Sequence, residues 1–144
     1  MSQQGSNFSS QSIAELIENL NGVADEIRET IENLSDLERR EKAKGSPVGS
    51  GQYSLDVIAD DILHKRIKDF PGYIISEERE LDKSKIDSSE LILVVDPVDG
   101  STNASRKIGY WSFSAALVQS GSVIAGLIVD QVTGRKFIAT QDQA

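Results

Sequence analysis

The run Leu91-Ile92-Leu93-Val94-Val95 constrains this chain more than any other stretch. Consecutive apolar residues rich in β-branched side chains predict a strand buried on both faces. The apolar run stops at Asp96. Pro97 cannot donate a ladder hydrogen bond, and it pushes Asp96 towards extended backbone. Gly100 permits a sharp turn. Ser101, Thr102 and Asn103 are all good N-cap residues, so a short helix is expected to begin there. Two carboxylates, Asp96 and Asp99, are thereby set at the mouth of a hydrophobic strand, just before the N–H groups of a helix start. Carboxylates attract hard divalent cations, and helix N-termini attract phosphate. A site holding both suits metal-assisted hydrolysis of a phosphate ester. Standing alone, an Asp-Pro-x-Asp-Gly segment reads as no more than a turn with its cap.

The other segments bear on that choice. With 144 residues and 38% hydrophobic content, one globular domain with a real core is expected. The net charge of −8 argues against nucleic acid or an anionic membrane as the main partner. The absence of cysteine excludes disulfides, thiolate metal sites and a cysteine nucleophile. Met1–Ser10 is polar and is expected to be a disordered tail, not a signal peptide. No apolar run approaches the ~20 residues of a membrane span, so the expected location is the cytoplasm.

Ser12 and Glu15 have capping-box spacing and predict a helix start. Apolar residues from Ile13 to Leu37 then recur every three or four positions, predicting a long amphipathic helix to about Lys42, with Asn21-Gly22 as a point of kinking. Such a stripe faces a core or forms a dimerisation seam. Lys44–Tyr53 reads as a Gly/Ser/Pro loop. Leu55 to Phe70 predicts a second amphipathic helix, stopped by Pro71-Gly72. On it Asp56 suits the helix dipole, Asp60 is expected to be solvated, and His64, the only histidine, reads as a surface residue. Tyr73–Ser76 predicts a strand running into Glu77-Glu78, and Arg79–Glu90 a charged loop. Tyr110–Thr140 predicts an antiparallel meander with turns at Ser120-Gly121 and Thr133-Gly134. The fold class is α+β, with two helices packed on one face of a mostly antiparallel sheet and the acidic site at its edge.

Asp96-Pro-Val-Asp-Gly-Ser-Thr-Asn103, the upstream Ser76-Glu77-Glu78 and the helix-borne Asp56 occur in an order that resembles the inositol monophosphatase and fructose-bisphosphatase superfamily. These are magnesium-dependent, lithium-sensitive phosphatases of carbohydrate metabolism, and the likeness is strongest to the archaeal dual-activity branch. The resemblance implies the amino-terminal part of a layered αβαβα fold, with residues 11–144 as its α+β domain. It implies that Glu77, Asp96 and the carbonyl of Val98 bind one Mg²⁺, that Asp96 and Asp99 contribute to a second, and that Asp56 with Glu77 holds a third. Ser101 would orient the attacking water with Glu77, the Gly100 and Ser101 N–H groups would hold the phosphate, and Glu78 would support them from behind. The implied substrate is a sugar or inositol phosphate. Two departures stand out. The family carries an acidic residue in the loop before the Asp56 helix, where this chain has Ser50, and Gln52 and Tyr53 replace the usual polar pattern. The family's carboxy-terminal αβ layer, with a further aspartate in a Trp-Asp pair, has no counterpart here: Trp111 is followed by Ser112, and the sequence given stops at Ala144. A non-catalytic metal-binding fragment is the alternative reading. Either way, homodimerisation, or association with a chain supplying the missing layer, is expected.

Overall fold

The computed structural model describes residues 8–44 and 51–143. Most of the expected tail, and Ser50 with most of its loop, lie outside the described residues.

Helix α1 spans Ser10–Glu32. Its N-cap is Ser9, whose hydroxyl accepts from the Ser12 N–H, so it starts ahead of the expected Ser12 cap. It passes through Asn21-Gly22 without a break. It also stops short of Lys42, at Asn33. The reason is a second start signal that the periodicity obscures: Ser35 and Glu38 form a capping box that opens the short helix α2, Asp36–Arg40. Leu37, counted into the apolar stripe, is 83% exposed on that helix. Helix α3 is Ser54–Arg66 and ends before the expected Phe70.

Strand β1, Tyr73–Ser76, falls where expected. Gly72 makes its entry possible, because a Cβ there would meet the Leu91 carbonyl oxygen at 2.2 Å. The expected loop after β1 contains helix α4, Lys83–Ser88, capped by Asp82 through the N–H groups of Ser84 and Lys85. Strand β2 is Leu91–Asp99, helix α5 is Ser101–Ser105, and the meander is β3 (Ser112–Gln119), β4 (Ser122–Asp130) and β5 (Lys136–Thr140). The five strands form one sheet in chain order. β1 runs parallel to β2 and every other pairing is antiparallel. This is the expected α+β class.

One face of the sheet meets α1 and α3. Leu93, Phe113 and Leu127 from β2, β3 and β4 pack there against Val23, Ile27 and Ile31 of α1 and Leu55, Ala59 and Leu63 of α3. Complete burial of such side chains contributes roughly 1.5–3 kcal/mol each. Among the described residues no helix covers the other face, so β2 is not buried on both sides as its composition suggested. Val94, on the face away from the helices, is 40% exposed. β2 also runs past Asp96 to Asp99. Pro97 is tolerated because the ladder is already interrupted there: between the pairs Asp96–Ser114 and Asp99–Ser112, Pro97 and Val98 stand opposite Phe113 alone. Among the described residues, no helix is long and apolar enough to cross a membrane.

Candidate active site

The parallel pairing of β1 with β2 determines what meets at their carboxyl ends. The last register pair is Ser76 with Val95. One residue further along each strand lie Glu77 and Asp96. Their carboxyl groups are close enough to share a hydrogen bond. Burial first, then this contact and the neighbouring Asp99, push the Asp96 carboxyl up to about 7. The bulge bends the chain so that the Val98 N–H donates to Asp96 Oδ1 at 3.2 Å. Val98 itself is buried, and Asp99 and Glu77 face solvent.

Asp56 reaches the same region from α3. It sits in the first turn of that helix, and its Oδ2 accepts from the Tyr53 N–H at 3.0 Å. This is the cap geometry that the dipole argument anticipated. Yet the side chain is not at the surface: Asp56 is only 4% exposed. Burial, partly countered by the Tyr53 N–H, combines with repulsion from Glu77 to raise its carboxyl to about 6. Its second oxygen, Oδ1, is buried with no hydrogen-bond partner. Glu78, half-buried, is raised to about 8 by burial and by the negative charges of Asp56, Glu77, Asp96 and Asp60. Its Oε2 accepts from Gln52 Nε2. Asp56, Glu77, Glu78, Asp96 and Asp99 are therefore brought into one electrostatic neighbourhood from three segments of chain.

Gly100 and Ser101 close the site on the far side. Gly100 has φ +92° and caps α5, and a Cβ there would lie 3.1 Å from the Tyr110 carbonyl oxygen. Ser101, the first residue of α5, stands near enough to Asp56 to favour its charged form. Below α5, Arg39 of α2 is buried and donates to the Ala104 carbonyl at 3.0 Å. Nothing in the sequence pointed to that contact, since it joins residues 65 apart.

Two expectations are corrected here. Asp60 is not solvated: it is 4% exposed and accepts from Ser76 Oγ and from Arg79 Nε, the latter at 2.5 Å. Burial opposes its charge, but His64, Ser76 and Arg79 outweigh that and hold the carboxyl at about 2. His64 is not a partnerless surface residue. Its Nδ1 lies 3.0 Å from the Asp60 carbonyl oxygen and 3.4 Å from Asp60 Oδ1, and this contact raises its pKa. The signal was present in the sequence, because Asp56, Asp60 and His64 recur at helical spacing on one face.

Among the described residues, no three acidic or histidine side chains are already arranged around one ion. The donor set nevertheless fits a hard divalent cation. It consists of carboxylate oxygens, it includes the orphaned Asp56 Oδ1, and burial, then neighbouring negative charge, raises the carboxyls of Asp56, Glu78 and Asp96.

Comparison with known proteins identifies the family. The chain is 31% identical over 94 residues to a fructose-1,6-bisphosphatase of Pyrococcus furiosus, a match covering 65% of this chain and 36% of that one. It is 32% identical over 88 residues to a fructose-1,6-bisphosphatase/inositol-1-monophosphatase of Methanocaldococcus jannaschii, covering 61% and 34%. The chain thus spans about a third of the length of these curated relatives. Among solved structures, the MJ0109 gene product, an inositol monophosphatase-fructose 1,6 bisphosphatase, superposes with a TM-score of 0.73 at 27% identity, over 86% of this chain and 48% of that one. CysQ from Bacteroides thetaiotaomicron superposes with a TM-score of 0.69 at 21% identity, over 93% and 48%, a likeness of fold. A family model described as the inositol monophosphatase family matches residues 9–143. The chain belongs to the inositol monophosphatase family.

Proposed function

We propose that this chain carries the cation- and phosphate-binding part of a Mg²⁺-dependent phosphomonoesterase acting on a sugar or inositol phosphate. The observation that supports this most is the meeting of Asp56, Glu77 and Asp96 beside the start of α5, with one buried Asp56 oxygen unpartnered. In this reading Glu77, Asp96 and the Val98 carbonyl would hold one ion, Asp96 and Asp99 would contribute to a second, and Asp56 with Glu77 would serve a third. Bound Mg²⁺ would supply charge neutralisation of the phosphoryl oxygens and a lowered pKa for water. The chain's own groups do the remaining work. The Gly100 and Ser101 N–H groups bind phosphate oxygens. Ser101, with Glu77, orients the water that attacks phosphorus. Glu78, tied to Gln52, supports Glu77 from behind.

The test is release of inorganic phosphate from inositol monophosphate and from fructose bisphosphate, with Mg²⁺ and then with Li⁺ added. Turnover that needs Mg²⁺, falls with Li⁺ and falls at least ~100-fold in Asp96→Asn supports the reading. Turnover indifferent to Mg²⁺ and to Asp96 refutes it.

A second reading is favoured by the open sheet face. Val94, Ile128 and Phe137 are 40%, 49% and 58% exposed along a trough of about 1190 Å³ that reaches Glu77 and Asp96 at one end. We infer that residues 11–144 act as the amino-terminal domain of a larger phosphatase, and that a further αβ layer covers this face. The rest of a longer chain or a separate chain would supply that layer, and a second copy of the chain could cover the face in its place. A non-catalytic cation-binding role follows where that layer is lacking. Sedimentation of the chain at increasing concentration discriminates: self-association that Phe137→Ser abolishes supports the covering contact, and a monomer at every concentration counts against the homodimer.

A further inference from the structure

The grip of Asp60 on the turn after β1 has no part in the roles above. Asp60 lies one helical turn after Asp56 on α3, and His64 one turn after that. Among the described residues, its hydrogen-bond partners outside α3 both lie in the segment that carries Glu77. Ser76 Oγ donates to Asp60 Oδ1, and Arg79 Nε donates to Asp60 Oδ2. Ser76 Oγ also accepts from the Glu78 N–H at 3.2 Å, and the Arg79 N–H donates to the Ser76 carbonyl at 3.3 Å. The turn is thus held at both ends, residues 76 and 79, while Glu77 and Glu78 between them carry the carboxylates that point elsewhere. His64 Nδ1, 3.4 Å from Asp60 Oδ1, braces the carboxylate from the helix side.

We propose that Asp60 is a positioning residue: by clamping Ser76 and Arg79 to α3, it fixes how far Glu77 stands from Asp56, and so tunes the cation affinity of the site. This rests on the reading of Asp56 and Glu77 as cation ligands. Asp56 and Asp60 ride on the same helix, so tying the turn to buried Asp60 ties Glu77 to Asp56, and the other polar link from α3 to the turn, Asp61 with Arg79, is longer and exposed. Groups that orient metal ligands from behind commonly change affinity by about 10–100-fold when lost.

Asp61 provides the control. It is the next residue, it carries the same charge, and its Oδ1 lies 3.6 Å from Arg79 Nη2, but it is 72% exposed, and the Ser76 hydroxyl donates to Asp60 instead. Titrate the whole chain with MgCl₂ by calorimetry, with circular dichroism to confirm folding. Asp60→Asn is expected to weaken Mg²⁺ binding about 10–100-fold. Asp61→Asn, which removes equal charge, is expected to shift it less than about threefold, as for other exposed ion pairs. Equal effects of the two, or an Asp60→Asn variant that binds as the unsubstituted chain does, overturn the proposal. If Asp60→Asn fails to fold, Ser76→Ala takes its place. A folded Ser76→Ala with unchanged affinity overturns the proposal as well. An unsubstituted chain that takes up no Mg²⁺ refutes the cation reading itself, and the positioning role with it.

Discussion

Replacing Asp56 with Asn should stabilise the metal-free protein at neutral pH. Asp56 is nearly fully buried, and its carboxyl is raised from 3.8 to about 6, by burial first and then by Glu77. At roughly 1.4 kcal/mol per pH unit, that rise corresponds to about 3 kcal/mol of destabilisation once the group is ionised. The sign follows from proton counts. Between about pH 4 and pH 6 the unfolded chain has released this proton and the folded chain still holds it, so stability falls as pH rises. Above pH 6 the loss is complete. Asn keeps an acceptor for the Tyr53 N–H, carries no charge and has nearly the same volume. The gain in Asp56→Asn is therefore expected to be near zero at pH 3.5, about half-developed at pH 5, and about 2–3 kcal/mol at pH 7.5. Urea unfolding followed by circular dichroism at the three pH values measures it. Adding Mg²⁺ should narrow the gap, because an ion at a hundredfold excess over its Kd stabilises the folded state by about 2.7 kcal/mol, and only the unsubstituted chain keeps the ion assigned to Asp56 and Glu77. A gain that does not vary with pH, or an Asp56→Asn variant less stable at pH 7.5, would refute the electrostatic reasoning.

Further outcomes test neighbouring parts of the account. Gly100→Ala places a Cβ on a residue with φ +92°, 3.1 Å from the Tyr110 carbonyl oxygen, and is expected to cost about 1–3 kcal/mol in urea unfolding. Arg39→Met removes the donor to the Ala104 carbonyl and should cost about 1–2 kcal/mol, with Arg39→Lys intermediate; a Met variant as stable as the parent would mean that the contact does not seat α5. Asp60, held at about 2, contributes support that is complete above its ordinary 3.8 and lost as pH falls towards 2. An acid titration of the parent should therefore show an unfolding limb there that is about 2 kcal/mol steeper in total than that of Asp60→Asn.

The secondary structure was most legible where a local pattern and its tertiary setting agree. Tyr73–Ser76 has its expected bounds, and the three meander strands lie within Tyr110–Thr140 on either side of the two expected turns, because β-branched runs and glycine turns need no distant partner to be recognised. Helix ends were less legible. The Ile13–Leu37 stripe masked the Ser35/Glu38 capping box, and the polar composition of Lys83–Ser88 hid a helix capped by Asp82. Burial on both faces of β2 was inferred from composition, but composition cannot say whether a second layer is present. In the site, the order of Asp56, Glu77, Asp96 and Asp99 along the chain could be read directly. The partners of Asp60 could not, since a solvated Asp and a clamped one look alike until Ser76 and Arg79 fold back onto α3.

In this account Glu77 and Asp96, carboxylates from two separate strand ends, share a cation. The most direct measurement is the anomalous difference density of a crystal soaked in Mn²⁺, as a stand-in for Mg²⁺. The account predicts a peak within about 2.0–2.6 Å of carboxylate oxygens of both Glu77 and Asp96. A soaked crystal with Mn²⁺ only at scattered surface carboxylates, and none touching Glu77 or Asp96, would contradict it.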